Sequence, residues 1–157
     1  MRMELHQPYE NLTYYGRGPL ENYIDRYSSS FIGRYENKVE NQFYWYIRPQ
    51  ETGNKTDVRW LTLLDSEGQG VRITGLQPVA FSALHFSPED LDPGLTRKLQ
   101  HTIDIVPQKN IFLHVDLRQR GLGGDNSWGM YPHNEYRLLD KKYTYSYMIE
   151  LVEKGSD

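Results

Sequence analysis

The chain contains no cysteine, which excludes disulfides and thiolate zinc sites and is compatible with any redox compartment. No apolar run approaches the roughly 18 to 20 residues that cross a bilayer as a helix. Charge of one sign is scarce as well. A net charge of −3 at pH 7 gives no electrostatic reason to expect nucleic acid or an anionic membrane as partner. The first residues, MRMELHQPYENL, lack the charged, apolar and small-residue regions of a signal peptide. In a piece of a longer protein that says little about compartment, so the expectation is a soluble protein, cytoplasmic or periplasmic. Apolar residues reach only 38% over 157 residues, which is the length of one domain.

Aromatic rings are what the chain has in abundance, with 13 tyrosines and an aromatic share of 13%. Tyrosine combines an apolar face with a hydroxyl, so it suits strand surfaces and polar grooves. A tyrosine-rich β-sheet is the plain reading. Sugar binding is the sharper one, since sugars offer C–H faces to rings and hydroxyls to the groups around them.

The patterning is that of strands, with no amphipathic helix of ordinary length. Phe43 to Arg48 (FYWYIR) is aromatic and β-prone. Arg59 to Leu64 and Val71 to Thr74 flank the polar turn DSEGQG and predict a hairpin. Val79 to Phe86 is a further strand candidate. From Ile111 to Leu117 the alternation sets Ile111, Leu113, Val115 and Leu117 on one face and Phe112, His114 and Asp116 on the other. Tyr143 to Val152 alternates likewise, with Tyr143, Tyr145, Tyr147, Ile149 and Leu151 together. SPEDLDPG (87–94) predicts a short helical turn capped by Ser87 with Pro88 in its first turn. Many strands joined by Gly/Pro turns indicate an all-β, antiparallel β-sandwich. It is expected over residues 1–152, with a mobile tail at 153–157.

Several chemistries find no support. GLGGDN (121–126) lacks the lysine and Ser/Thr of a P-loop and the spacing of a dinucleotide fingerprint. There is no GxSxG elbow for a nucleophilic serine. The histidines at 6, 85, 101, 114 and 133 are scattered. His114 and Asp116 share a strand face, but a lone His-x-Asp is more often a hydrogen-bonded pair than a metal site. Acid–base sugar chemistry needs two carboxylates, roughly 5 to 5.5 Å apart for retention and roughly 6.5 to 9.5 Å for inversion. Glu21, Asp25, Glu51, Asp57, Asp125 and Glu135 lie near aromatic or glycine-bearing loops. Glu21 and Asp25, four apart, would be neighbours on a helical turn. The plain expectation for each is a loop acceptor or an ion pair with Arg17, Arg26 or Arg59. Trp128 stands in GLGGDNSWG (121–129), where the glycines permit positive φ and sharp turns, and where Asp125, Asn126 and Ser127 favour exposure. Against this stands the usual burial of tryptophan.

Three stretches in order carry a resemblance. YYGRGPLENYIDRY (Tyr14 to Tyr27) resembles a segment in the terminal domain of glycoside hydrolase family 2 β-galactosidases. YIRPQETGNKTDVRWL (Tyr46 to Leu61) is similar to that domain's Pro-Gln-Glu-x-Gly region, and GLGGDNSWG to its tryptophan loop. The likeness runs from about Met3 to Leu151 and points to the C-terminal, small-chain region, domain 5. It implies a sandwich related to the galactose-mutarotase supersandwich, which completes an active-site pocket built mainly by a TIM barrel. It implies that Trp128, with Asp125 and Asn126, contacts a β-galactoside or galactose on the aglycone side. The family's acid/base and nucleophilic glutamates and its metal ligands (Mg or Na) belong to the barrel, so this chain is expected to hold no catalytic residue, metal or cofactor and to hydrolyse nothing alone. Its partners would be the parent enzyme's other domains.

Two alternatives come from other classes. One is a free-standing aldose 1-epimerase using His85 or His114 with Glu135. The other is a purely structural module in which tyrosines build an interdomain interface and Trp128 is core. The family's terminal domain is longer than 157 residues, so the chain is expected to be a partial domain with exposed sheet edge and apolar face. The isolated chain should therefore self-associate; light scattering that finds a clean monomer at high concentration contradicts this.

Overall fold

The computed structural model describes residues 1–92, 94, 100–126 and 128–155. Seven strands make one antiparallel sheet that does not close into a barrel: β1 (Arg2–Leu5), β2 (Asn11–Gly18), β3 (Phe31–Lys38), β4 (Lys55–Leu64), β5 (Gly70–Leu84), β6 (Ile111–Asp116) and β7 (Tyr147–Val152). The order is β1-β6-β5-β4-β2-β3, with β7 also on β5. The all-β, antiparallel class expected from the sequence is the class observed. The one α-helix among the described residues is the turn α1 (Pro88–Leu91). Ser87 Oγ accepts from the Asp90 amide at 3.1 Å while Asp90 Oδ2 accepts from the Ser87 amide at 2.7 Å, the predicted cap in its reciprocal form. Pro93, within the predicted turn, lies outside the described residues, as do Ser127 of the tryptophan loop and Ser156 and Asp157 of the tail.

The predicted hairpin forms between β4 and β5. Its turn closes on Asp65, whose Oδ1 accepts from the amides of Glu67 and Gln69 at 2.8 and 2.9 Å. The two strand segments expected at 71–74 and 79–86 prove to be one strand. Trp60 pairs with Thr74 and Val58 with Val79, so residues 75–78 of β5 have no counterpart on β4 and bulge from the ladder. A second register shift lies between Lys55 and Val58, where Asp57 holds a positive φ of 53°. The N-terminal half of β5 also pairs with β7, and its C-terminal half with β6.

Directly paired residues point to the same face, so the register defines the core. Leu12 lies opposite Leu63, Leu61 opposite Ile73, and Ala83 opposite Leu113. These belong to one buried cluster that also takes in Tyr14, Val58, Phe81 and Val115. The alternation predicted for β6 matches it: Ile111, Leu113 and Val115 are fully buried there. A second cluster (Phe43, Leu84, Phe86, Leu91, Ile105) covers part of the opposite face.

Three expectations need correction. Residues 43–48 are not a strand. Their aromatics pack on one another and on loop neighbours: Phe43 meets Trp45 at 4.8 Å and Phe86 at 4.5 Å, Tyr44 meets Tyr46 at 4.8 Å, and the Tyr44 amide donates to Thr52 Oγ1 instead of to a ladder. High β-propensity without a partner strand is insufficient. The last strand begins at Tyr147 rather than Tyr143, because Ser146 bonds the bulge of β5 at Leu76 and Gln77. On its expected face Tyr145 and Tyr147 pack on the core, while Ile149 and Leu151 stay exposed. Finally β1, β2 and β3 carried no strand prediction. β2 is masked by two glycines, and β3 is an exposed edge strand whose Phe31 and Ile32 face solvent.

Lys55 is 2% exposed, and its ammonium donates to the Gly53 carbonyl at 3.1 Å. Burial lowers its pKa to about 8 from 10.5. Between about pH 8 and 10 the unfolded chain therefore binds more protons than the folded one, and stability rises with pH. Burial raises Tyr14 and Tyr23, so above pH 10, where unfolded tyrosines ionise, the trend reverses. Thermal unfolding should show a gain of about 2 kcal/mol between pH 7.5 and 9.5 that disappears in Lys55→Met.

Candidate functional site

The three stretches singled out in the sequence converge in space. Asn22, fully buried, stitches the first to the second. Its Oδ1 accepts from the Thr56 amide at 2.9 Å and hydroxyl at 2.6 Å, and its Nδ2 donates to the carbonyls of Arg17 and Leu20. The Asn22 amide donates to the Asn54 carbonyl, and Asn54 Nδ2 returns a bond to the Asn22 carbonyl, both at 2.8 Å. Glu21 adds a second seam. Its carboxylate accepts from Gly53 N at 2.8 Å, Thr52 Oγ1 at 3.1 Å, Arg26 Nη2 at 2.6 Å and the Tyr46 hydroxyl. Burial and the bond to Glu21 hold the Tyr46 hydroxyl above its ordinary pKa. Glycines of the first stretch serve contact here: a Cβ on Gly16 would stand 2.6 Å from Val58 Cγ2, and one on Gly18 would meet the Tyr14 hydroxyl and the Tyr35 ring.

The first stretch meets the third through Asp25. Gly123 N donates to Asp25 Oδ2 at 2.7 Å, and Gly121 N donates to the Tyr136 carbonyl at 2.6 Å. The helical neighbourhood imagined for Glu21 and Asp25 does not form. A turn in which Tyr23 and Arg26 exchange backbone bonds points the two carboxylates to different partners.

Trp128 stands clear of the sheet with 91% of its surface exposed. Within this domain Trp128 is therefore not the core residue that the structural-module alternative made it. The expected reason for the glycines, positive φ, holds only for Gly129 (φ 98°) among the four. The other three are needed for close approach: a Cβ on Gly121 would fall 2.6 Å from Asp25 Oδ2, one on Gly123 3.3 Å from it, and one on Gly124 into the Met130 carbonyl. Two of the three polar residues predicted beside the tryptophan shape the loop. Asn126 Oδ1 accepts from the Trp128 amide at 2.8 Å, and Asp125 Oδ1 lies 2.8 Å from His133 Nε2. That hydrogen bond holds the His133 imidazolium above its ordinary pKa. Asp25, Gly123, Gly124, Asp125, Pro132 and His133 line a cavity of about 200 Å³ at the base of the loop.

The other predicted carboxylates are dispersed. Asp57 pairs with Arg17 at 2.5 Å, as expected of a loop ion pair. Glu135 and Asp57 line a larger cleft of about 440 Å³ with Tyr27, Arg118 and Tyr136. Neither histidine proposed for an epimerase meets Glu135: His85 Nε2 is 2.9 Å from Glu10, and His114 shares a separate cavity of about 220 Å³ with Glu51. There, loss of solvent raises Glu51 and lowers His114. No group of three or more His, Asp or Glu among the described residues is placed to hold a metal ion. No helix among them is long and apolar enough to cross a membrane. Asn22 was missed by sequence reasoning. A buried amide in a loop leaves no periodic signal.

The stitched motifs coincide with a family pattern. The model of the β-galactosidase small chain matches residues 1–149. The chain belongs to this family. Among curated relatives, a β-galactosidase of Priestia megaterium is 36% identical over 151 residues, covering 96% of this chain and 14% of that protein. One of Streptococcus thermophilus is 35% identical over 90% of this chain and 14% of its own length. BgaC of Bifidobacterium adolescentis is 37% identical over 83% and 12%. The chain thus spans about one seventh of the length of the curated β-galactosidases it matches.

In this small-chain domain, Asn22→Ala should be among the most damaging single changes. It leaves the Thr56 amide and hydroxyl without their acceptor in a buried site. The expected loss, read by denaturant unfolding, is about 3 kcal/mol, against under about 0.5 kcal/mol for an exposed control such as Asn41→Ala.

Proposed function

We propose that this chain is a non-catalytic C-terminal domain of a retaining β-galactosidase. In that role it completes the active-site pocket and contacts the sugar on the aglycone side through Trp128. The observation that carries the reading is a fully presented indole on a loop whose backbone is fastened at its base. Within this domain, a large apolar ring standing off the sheet has no packing reason to be there. A flat platform for the C–H face of a sugar supplies one. Met130 and Tyr131 are exposed beside it and extend the apolar rim, and Asp125 and Asn126 line its polar side.

In the full-length enzyme, hydrolysis of terminal β-galactosides with retention requires two carboxylates roughly 5 to 5.5 Å apart. The reading assigns both to the barrel, and three carboxylates of this chain fit it. Glu21 is enclosed by four donors, Asp25 holds a loop amide, and Asp57 is paired with Arg17. Fastened groups of this kind position structure; they are not free to exchange protons with a substrate. The domain's contribution is therefore binding and orientation, and its partners are the other domains of the enzyme.

Trp128→Ala in the full-length enzyme should weaken transition-state binding at the aglycone side by about 1 to 3 kcal/mol, the range for aromatic stacking on flat ligands. The check is kcat/KM with lactose together with partitioning to added galactosyl acceptors. Wild-type values in both would remove the platform role.

A further inference from the structure

We propose that Asp25 is the positioning residue of the tryptophan arm. Its carboxylate, 98 residues away from the arm in sequence, decides where the indole stands. The consequence for sugar binding rests on the platform reading above, whereas the anchoring itself does not.

The base of the anchor is rigid. Asp25 sits between Tyr23 and Arg26, whose backbones exchange bonds of 3.1 and 2.8 Å, and the Tyr23 ring is 1% exposed. Two neighbouring seams hold this turn to the second motif through Glu21 and Asn22. From that base, Oδ2 accepts the Gly123 amide at 2.7 Å, a charge-assisted bond. The two glycines nearest that oxygen are shaped to it. A Cβ at residue 121 would fall 2.6 Å from Oδ2 and one at residue 123 would stand 3.3 Å away. Oδ1 is buried with no hydrogen-bond partner among the described residues. A half-buried carboxylate is unfavourable unless hydrogen-bonded, and the bond from the arm offsets part of that penalty. Among the described residues the arm has one other backbone fastening at its base, from Gly121 N to the Tyr136 carbonyl at 2.6 Å. Beyond Gly123, the bonds from Asn126 to Trp128 and from Asp125 to His133 are internal to the loop. They preserve its shape and leave its direction to the anchor.

The test uses the full-length polypeptide with Asp25→Ala, Asp25→Asn, Trp128→Ala and the double variant Asp25→Ala/Trp128→Ala. Hydrogen exchange is followed by mass spectrometry in the peptide covering 121–131, with the strand peptide covering 55–64 as a reference for intact folding. Asp25→Ala should speed exchange in the arm by about tenfold or more and leave the reference unchanged. Asp25→Asn, which keeps an acceptor oxygen but not the charge, should fall between that variant and wild type. In steady-state kinetics on a galactoside, Asp25→Ala should reproduce the KM effect of Trp128→Ala, and in the double variant it should add less than about twofold. Arm exchange at the wild-type rate in Asp25→Ala overturns the proposal, as do single-variant effects that multiply in the double variant. If Trp128→Ala leaves the kinetics unchanged while Asp25→Ala still frees the arm, the sugar platform fails and the anchor stands.

Discussion

A single buried amide, that of Asn22, holds together the end of the sheet where the first two motifs meet. Its oxygen takes both donors of Thr56 at the start of β4, and its nitrogen donates to the carbonyls of Arg17 at the end of β2 and Leu20 in its own loop. A loop cannot be buried unless its backbone polar groups find partners. Asn22 provides that condition for the turn after β2, and with the turn in place Glu21, Tyr23 and Asp25 have defined directions. Everything at this end of the sheet follows: the seam to Thr52 and Gly53 through Glu21, and the hold on the glycine loop through Asp25.

The glycines belong to the same logic. In the first motif, Gly16 and Gly18 let Val58 and the tyrosine rings approach the β2 backbone. In the third, Gly121 and Gly123 admit the Asp25 carboxylate and Gly124 the Met130 carbonyl. Five of the six glycines in these motifs are thus sites of contact, and only Gly129 is a site of unusual φ. A loop pinned by close approach is stiffer than one bent by permissive residues, because each pinned position has a specific neighbour that resists displacement. Such a loop can present an indole to solvent at a constant place.

Legibility differed by the range of the interaction. The β4–β5 hairpin, the β6 alternation and the Ser87 cap are set by neighbours within a few residues, and all three stand as expected. The aromatic run at 43–48 was misleading, because strand propensity is satisfied only when another backbone is free to pair, and none is offered to it. β2 and β3 were invisible for the opposite reason: their ladder comes from partners, while their own residues include glycine or polar side chains that weaken the pattern. At the candidate site, residue types in Asp125–Asn126–Trp128 pointed to an exposed loop. The convergence of Asn22 on Thr56 and of Asp25 on Gly123 spans 34 and 98 residues and has no local signature.

By itself the sequence determined the class of fold, the hairpin and the capped turn, and through its ordered motifs the family to which the chain belongs. These rest on period-two patterning, local turn chemistry and residue order, each readable along one dimension. The tertiary structure alone decided that the indole at 128 faces water, that three of its glycines are there for closeness, and that Asp25 rather than Glu21 reaches the arm. Those outcomes depend on which distant backbones come within hydrogen-bond range. Packing of the whole sheet sets those distances, and no single segment encodes them.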